Sequence, residues 1–215
     1  VRFLVTAGPT REPIDPVRFI SNRSSGKMGY AIAAAAVEAG HKVVIISGPV
    51  DVDPPASAEL IPVSTSAEMF RAVHQQVEQC DVLVMCAAVA DYRPARVSRR
   101  KIKKRNADLL LELIPTKDVL RSLPKKKRRY LVVGFAAETD NLAANAKKKL
   151  REKHCDIVVA NDARIAMESD ENEVEIFFRS GQKRKISRAS KKMIARELVK
   201  IFADAREKGL TKKTQ

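Results

Sequence analysis

Gly26-Lys27-Met28-Gly29-Tyr30-Ala31-Ile32-Ala33-Ala34-Ala35-Ala36-Val37-Glu38-Ala39-Gly40-His41-Lys42-Val43-Val44-Ile45-Ile46-Ser47 is the stretch that decides the fold. Gly26 to Ala39 reads as a helix of small residues that can lie close against a sheet, and Gly40 closes it as a C-terminal cap. His41 to Ser47 is a continuous apolar run rather than an alternating one, which marks a strand covered on both faces. Upstream, Arg2 to Ala7 is a similar run that stops at Gly8-Pro9. Strand, crossover helix and buried strand make one parallel unit, with a polar loop from Thr10 to Ser25 between the first two.

The alternation continues downstream. Gly48 to Pro55 is a Pro-rich turn region and Leu60 to Ser64 a third strand. Thr65-Ser66-Ala67-Glu68 has capping-box form and opens a helix through Gln79. Asp81 to Ala88 is a strongly apolar strand. Val89 to Arg105 is basic, Pro-containing and nonperiodic, and reads as a mobile flap at about 92–107. Leu109 to Ile114 is a short strand, Asp118 to Leu123 a short helix and Tyr130 to Ala136 another strand. The helix Asp140 to His154 carries its basic residues in the last turns, as the helix dipole favours. Asp156 to Ala160 is the next strand, Val174 to Arg179 and Lys183 to Ser187 a hairpin about Ser180-Gly181, and Ser190 to Lys208 the last helix. The expectation is one α/β domain over 1–215: a doubly wound, mostly parallel, Rossmann-like sheet with a C-terminal β-hairpin and helix.

Composition narrows the function. A 45% hydrophobic content supports a packed core, and no apolar run approaches the roughly 20 residues that cross a bilayer. Val1 to Ala7 is too short for a signal peptide, so a cytoplasmic protein is expected, with no membrane partner. Cys80, Cys86 and Cys155 form no CxxC pair and read as reduced thiols, and His41, His74 and His154 lie at no metal-ligand spacing. The net charge of +15 is clustered in Arg93 to Arg105, Lys125 to Arg129, Lys147 to Lys153 and Lys183 to Lys192, which suits phosphate-rich partners. Aromatics are only 5%, a poor supply of stacking platforms, so nucleic acid is not expected as a partner.

In an open parallel sheet the ligand lies beyond the carboxyl ends of the strands. Ser21 to Gly29 enters a helix there, and its free amides, with the hydroxyls of Ser24 and Ser25 and the neutral amide of Asn22, suit an anion. The pattern is neither a Walker P-loop nor GxGxxG, and the strand ending at Ser47-Gly48 lacks the acid that holds a cofactor ribose. Asp91 can bind ribose hydroxyls, an amine or a metal, or cap its turn. A flap lysine among Lys101, Lys103 and Lys104 can close over a triphosphate. Lys149 and Lys153 share a helix face and can reach one anion. No Ser/His/Asp or Cys/His set is evident, which favours a reaction driven by positioning and electrostatics. An NAD(P)-dependent oxidoreductase and a nucleic-acid-binding module are the competing classes; the first lacks its glycines and ribose acid, and the second rests on charge alone.

Val5 to Gly29, Ala87 to Arg93, Lys101 to Lys104, Gly134 to Thr139 and Ala160 to Asp162, in that order and spacing, resemble the phosphopantothenoylcysteine synthetase family over nearly the whole chain. The resemblance implies a phosphopantothenate–cysteine ligase of coenzyme A biosynthesis. CTP, with Mg2+, would activate 4'-phosphopantothenate as an acyl-cytidylate with release of pyrophosphate, and cysteine would then displace CMP. It implies catalytic roles for Asn22 and Lys101. It implies nucleotide contacts at Met85, Cys86, Ala87, Asp91, Lys101, Lys117, Asp118, Val119, Leu120, Phe135, Lys149 and Lys153. Phosphate or substrate contacts fall at Gly8, Ser24, Ser25, Gly26, Ala88 and Asn161. It further implies a homodimer and a flavin-dependent phosphopantothenoylcysteine decarboxylase as a fused domain or partner. Lys117 stands where bacterial members have proline, and 163–172 departs from the family's longer loop.

Overall fold

In the computed structural model, which describes residues 1–104, 106–125, 128–163 and 170–211, an eight-stranded sheet forms the spine. Its parallel strands are β1 (Arg2–Ala7), β4 (Lys42–Ser47), β5 (Glu59–Pro62), β6 (Val82–Met85), β9 (Leu131–Glu138) and β10 (Ile157–Asp162). They lie in the order β10-β9-β6-β1-β4-β5, so the winding reverses between β1 and β6. That reversal splays the two following connections to opposite faces and leaves a crevice at the carboxyl edge. β11 (Glu171–Phe178) and β12 (Lys183–Ser190) extend the sheet beyond β10 as an antiparallel hairpin.

Alternate residues of each strand feed two cores. Phe3, Val5 and Ala7 pack with helix α1 (Lys27–Glu38) and helix α5 (Lys191–Thr211), where Ile32 and Ala36 meet Ile194, Leu198 and Phe202. Leu4, Val44, Ile46 and Leu83 pack on the other face against α2 (Ser66–Gln76), α3 (Val119–Ser122) and α4 (Leu142–Glu152). The continuous apolar runs are thus two interleaved period-2 patterns, one for each covered face.

The alanine-rich helix works as its composition requires. A Cβ on Gly29 would stand 2.7 Å from the Ala7 Cβ and 3.3 Å from the Thr6 carbonyl oxygen, so α1 crosses β1 at backbone distance. Gly29→Val is expected to destabilise the fold by about 1–3 kcal/mol through overpacking. Urea denaturation checks this, and an unchanged midpoint contradicts the close crossing. The Thr65 capping box forms as expected, with the Thr65 hydroxyl accepting from the Glu68 amide and the Glu68 carboxylate accepting from the Thr65 amide.

Several elements differ from the sequence expectation. The polar loop Thr10 to Ser25 contains a short antiparallel ladder, β2 (Arg11–Pro13) with β3 (Phe19–Ser21). The stretch read as nonperiodic begins with β7 (Tyr92–Pro94), which pairs with β8 (Leu113–Pro115); the strand expected over Leu109 to Ile114 is reduced to that end. β6 ends at Met85, and the chain to Ala88 is held instead by a single bridge to Pro9. The Asp140 to His154 helix is trimmed at both ends, where Asn141 and His154 adopt left-handed φ of 45° and 53°. α2 stops at Gln76 and continues as a 3-10 turn over Val77–Gln79. Most of the divergent loop, 164–169, lies outside the described residues. Among the described residues no helix is long and apolar enough to cross a membrane.

Candidate active site

The reversal between β1 and β6 is stitched by backbone. The Ala88 amide donates to the Gly8 carbonyl at 2.9 Å and the Thr10 amide to the Ala88 carbonyl at 3.2 Å. The Thr6 and Thr10 hydroxyls accept from the amides of Ala87 and Ala90 at 3.1 and 3.0 Å. Beyond β6, from Cys86 to Val89, successive residues still face opposite sides of the sheet. Met85, Ala87 and Val89 turn toward α3 and α4, whereas Cys86 and Ala88 turn toward α1. Two clefts result, one on each face, and Phe135, within the carboxyl half of β9, lines both.

The cleft on the α4 face is lined by Met85, Ala87, Val89, Asp91, Thr116, Lys117, Asp118, Val119, Leu120, Phe135, Lys149 and Lys153. Ten of the twelve residues expected to touch the nucleotide therefore share one cavity. The exceptions are Cys86, set on the opposite face by strand geometry, and Lys101, exposed on its loop and lining neither cleft. The cavity is ordered by its own charges. The Lys149 ammonium donates to the Phe135 carbonyl, and the Lys153 ammonium to the Asp118 carboxylate. Burial drives the Lys149 ammonium below its ordinary value, and the neighbouring Lys153 adds to the effect. Burial would raise the Asp118 carboxyl, but the hydrogen bond from Lys153 and the Arg121 amide outweigh it and hold the carboxyl low. Lys117 lies over the Phe70 ring at 5.3 Å.

The cleft on the α1 face is lined by Arg23, Ser24, Ser25, Gly26, Lys27, Met28, Gly29, Cys86, Ala88, Phe135, Ala137, Asn161, Asn172 and Lys191. It contains five of the six residues expected to contact phosphate or substrate. The sixth, Gly8, lies beneath Gly26: a Gly26 Cβ would stand 3.4 Å from the Gly8 Cα and 2.6 Å from the Val50 side chain. Gly26 caps α1 with φ of 73° and no side-chain hydrogen bond, a backbone only glycine adopts at small cost. Asn22 sits at the stitch itself, its side-chain amide donating to the carbonyls of Ala88 at 3.3 Å and Val89 at 3.2 Å.

Sequence reasoning missed Asn172 and Lys191. Both are buried in the wall of the α1-face cleft, brought there by the hairpin and α5 returning to the carboxyl edge. Burial, with Lys27 nearby, lowers the Lys191 ammonium from its ordinary value. Lys191 belongs to a run of charge that reads as solvated surface, and only the tertiary path singles it out as buried. Among the described residues no grouping of three or more His, Cys, Asp or Glu could hold a metal ion, and no histidine lines either cleft.

The thiols are equally unsuited to covalent work. Burial pushes Cys80 and Cys86 up to about 12 and Cys155 up to about 11. All three are therefore protonated at neutral pH and expected to react slowly with a thiol-exchange reagent in the native chain. A rapid stoichiometric reaction contradicts that. Because these folded values exceed the ordinary 9.0, the stability they lend is complete below about pH 9 and is lost as pH climbs toward 12. Denaturation midpoints across that range test the sign.

Residues 1–205 match the DNA/pantothenate metabolism flavoprotein C-terminal domain family. The chain belongs to this family. The coenzyme A biosynthesis bifunctional protein CoaBC of Bacillus subtilis (strain 168) is 46% identical over 204 residues, 93% of this chain and 50% of that protein. The CoaBC of Escherichia coli (strain K12) is 43% identical over 190 residues, 85% of this chain and 47% of that protein. The chain thus spans about half the length of the relatives it matches. The crystal structure of a CoaBC C-terminal domain superposes with a TM-score of 0.84 at 42% identity, covering 96% of each chain. A Cab2 variant in complex with phosphopantothenate-cysteine superposes with a TM-score of 0.84 at 16% identity, covering all of this chain and 89% of that one, a likeness of fold. The α/β fold and the family resemblance read from the sequence both hold.

Proposed function

We propose that this chain is the phosphopantothenate–cysteine ligase half of a CoaBC-type protein. The carrying observation is the pair of clefts meeting at Phe135 across the β1–β6 reversal, one rich in lysine and carboxylate, the other floored by a helix entrance of small and hydroxyl residues. The α4-face cleft takes CTP, with Lys149 and Lys153 available to its phosphates or base. The α1-face cleft takes 4'-phosphopantothenate, whose phosphate suits the amides leading into α1 together with Ser24, Ser25 and Lys191. A carboxylate oxygen of phosphopantothenate attacks the α-phosphorus of CTP and pyrophosphate leaves. The amine of cysteine then attacks the acyl carbon, loses a proton, and expels CMP. Asn22, on releasing one of the two carbonyls it holds, offers a neutral donor to the charge that develops between the clefts.

Magnesium fits this arrangement in a limited way. Mg2+ is usually held by one or two carboxylates and the substrate's phosphates, and Asp91 is the exposed carboxylate lining the nucleotide cleft. The ion would neutralise phosphate charge there.

The assay is direct: CTP, magnesium, phosphopantothenate and cysteine are expected to give pyrophosphate, CMP and amide in equal amounts, with ATP the poorer substrate. No pyrophosphate or CMP from the purified chain refutes the reading. Three free cysteines fit a reducing, cytoplasmic setting. The flavin-dependent decarboxylase would occupy the other half of such a protein. A homodimer is part of the proposal, supported by Leu110, Leu111 and Leu113, exposed at 91%, 40% and 42% beside the β7–β8 ladder. Leu110→Glu is expected to yield monomers in sedimentation, and an unchanged mass contradicts that surface.

A further inference from the structure

The flap has no obvious reason to lie down on the protein. Arg99, Arg100, Lys101, Lys103 and Lys104 are all exposed, and Ile102 alone among them is partly covered. So many like charges in so short a stretch repel one another and favour extension into solvent. A specific tie overcomes this. The Asp15 carboxylate, 3% exposed, accepts from the Ile102 amide at 3.0 Å. The Arg18 guanidinium donates to the Ile102 carbonyl at 2.6 Å. The Ile14 carbonyl accepts from the Ser98 amide at 2.9 Å. Both polar groups of the Ile102 backbone are thereby held by one ion pair.

That pair is itself fixed in place. Asp15 also accepts from the Val17 and Arg18 amides at 2.8 and 2.9 Å and from the Arg18 side chain at 2.5 and 3.1 Å. The turn it organises joins β2 to β3, and β3 runs directly into Asn22. One small hairpin therefore holds Asn22 at its base and the residue after Lys101 at its tip. We propose that Asp15 and Arg18 are positioning residues, a clasp that fixes the flap so that Lys101 is presented to the same site as Asn22. The role given to Lys101 rests on the ligase reading; the tie at Ile102 does not.

Two measurements on the full chain test this. Amide hydrogen exchange at Ile102 and Ser98 is expected to quicken about tenfold or more in Asp15→Asn and in Arg18→Ala, while amides of β1 and β6 keep their protection. The turnover number for CTP-dependent pyrophosphate release is expected to fall about tenfold in both variants, with the KM for phosphopantothenate held within about twofold. Arg18→Lys, which keeps a donor for the Ile102 carbonyl, recovers part of the loss. In a Lys101→Ala background the Asp15→Asn penalty shrinks to about twofold or less, because both changes act through one group. Wild-type exchange at Ile102 in either variant overturns the clasp. An undiminished Asp15→Asn penalty without Lys101 overturns its positioning role. The exchange rate needs no turnover, so the clasp and the ligase reading fail separately.

Discussion

Asn22→Asp is expected to lower turnover by about two orders of magnitude, the usual scale for a lost donor to developing negative charge. The two side chains have the same shape, so the effect isolates chemistry. In the native chain the amide nitrogen donates to two carbonyls, those of Ala88 and Val89. A carboxylate in that place offers only acceptors to two acceptors, and it sets a negative charge beside the acyl-cytidylate. Asn22 is exposed, so its replacement adds little to the stability balance, and the denaturation midpoint is expected to hold. Steady-state and single-turnover release of pyrophosphate and CMP separate slowed activation from slowed coupling. Normal rates in both steps refute the role given to Asn22.

Lys101→Ala is expected to cut the turnover number by about a hundredfold while leaving the KM for CTP within about threefold, the signature of an interaction made in the transition state alone. Lys101 is exposed and lines neither cleft, so it contributes little to holding the nucleotide at rest. With Ile102 held by its clasp, the flexible Lys101 side chain would reach the phosphates only as pyrophosphate departs. A raised KM with an unchanged turnover number would make Lys101 a simple binding residue. Unchanged values of both would remove it from the mechanism.

The sheet was legible because covered strands advertise themselves. Val43 to Ile46 and Val82 to Val84 have no polar residue to give either face to water, and the helix of alanines between β1 and β4 can only be a close crossover. The candidate clefts were legible where a local rule operates, as at the Gly26 turn and the Lys149–Lys153 spacing. What escaped depends on distance in sequence. β2 and β3 are three residues each, too short for periodicity, and owe their pairing to a buried aspartate that looks like any loop acid. The segregation of Cys86 from Met85 and Ala87 continues the alternation of β6 past its last ladder residue, toward the Pro9–Ala88 bridge, and becomes visible only once that bridge is known. Lys191 and Asn172 enter the site through the C-terminal hairpin's return, which no short window of sequence records.

The most direct test of the account follows one oxygen. If the carboxylate of phosphopantothenate attacks the α-phosphorus of CTP at the meeting of the two clefts, an oxygen of that carboxylate must leave on CMP. With substrate whose carboxylate oxygens are both heavy-isotope labelled, mass spectrometry of the CMP is expected to find a single heavy oxygen on its phosphate, and the pyrophosphate unlabelled. Unlabelled CMP, or CDP and inorganic phosphate as the nucleotide products, would contradict activation at the α-phosphorus.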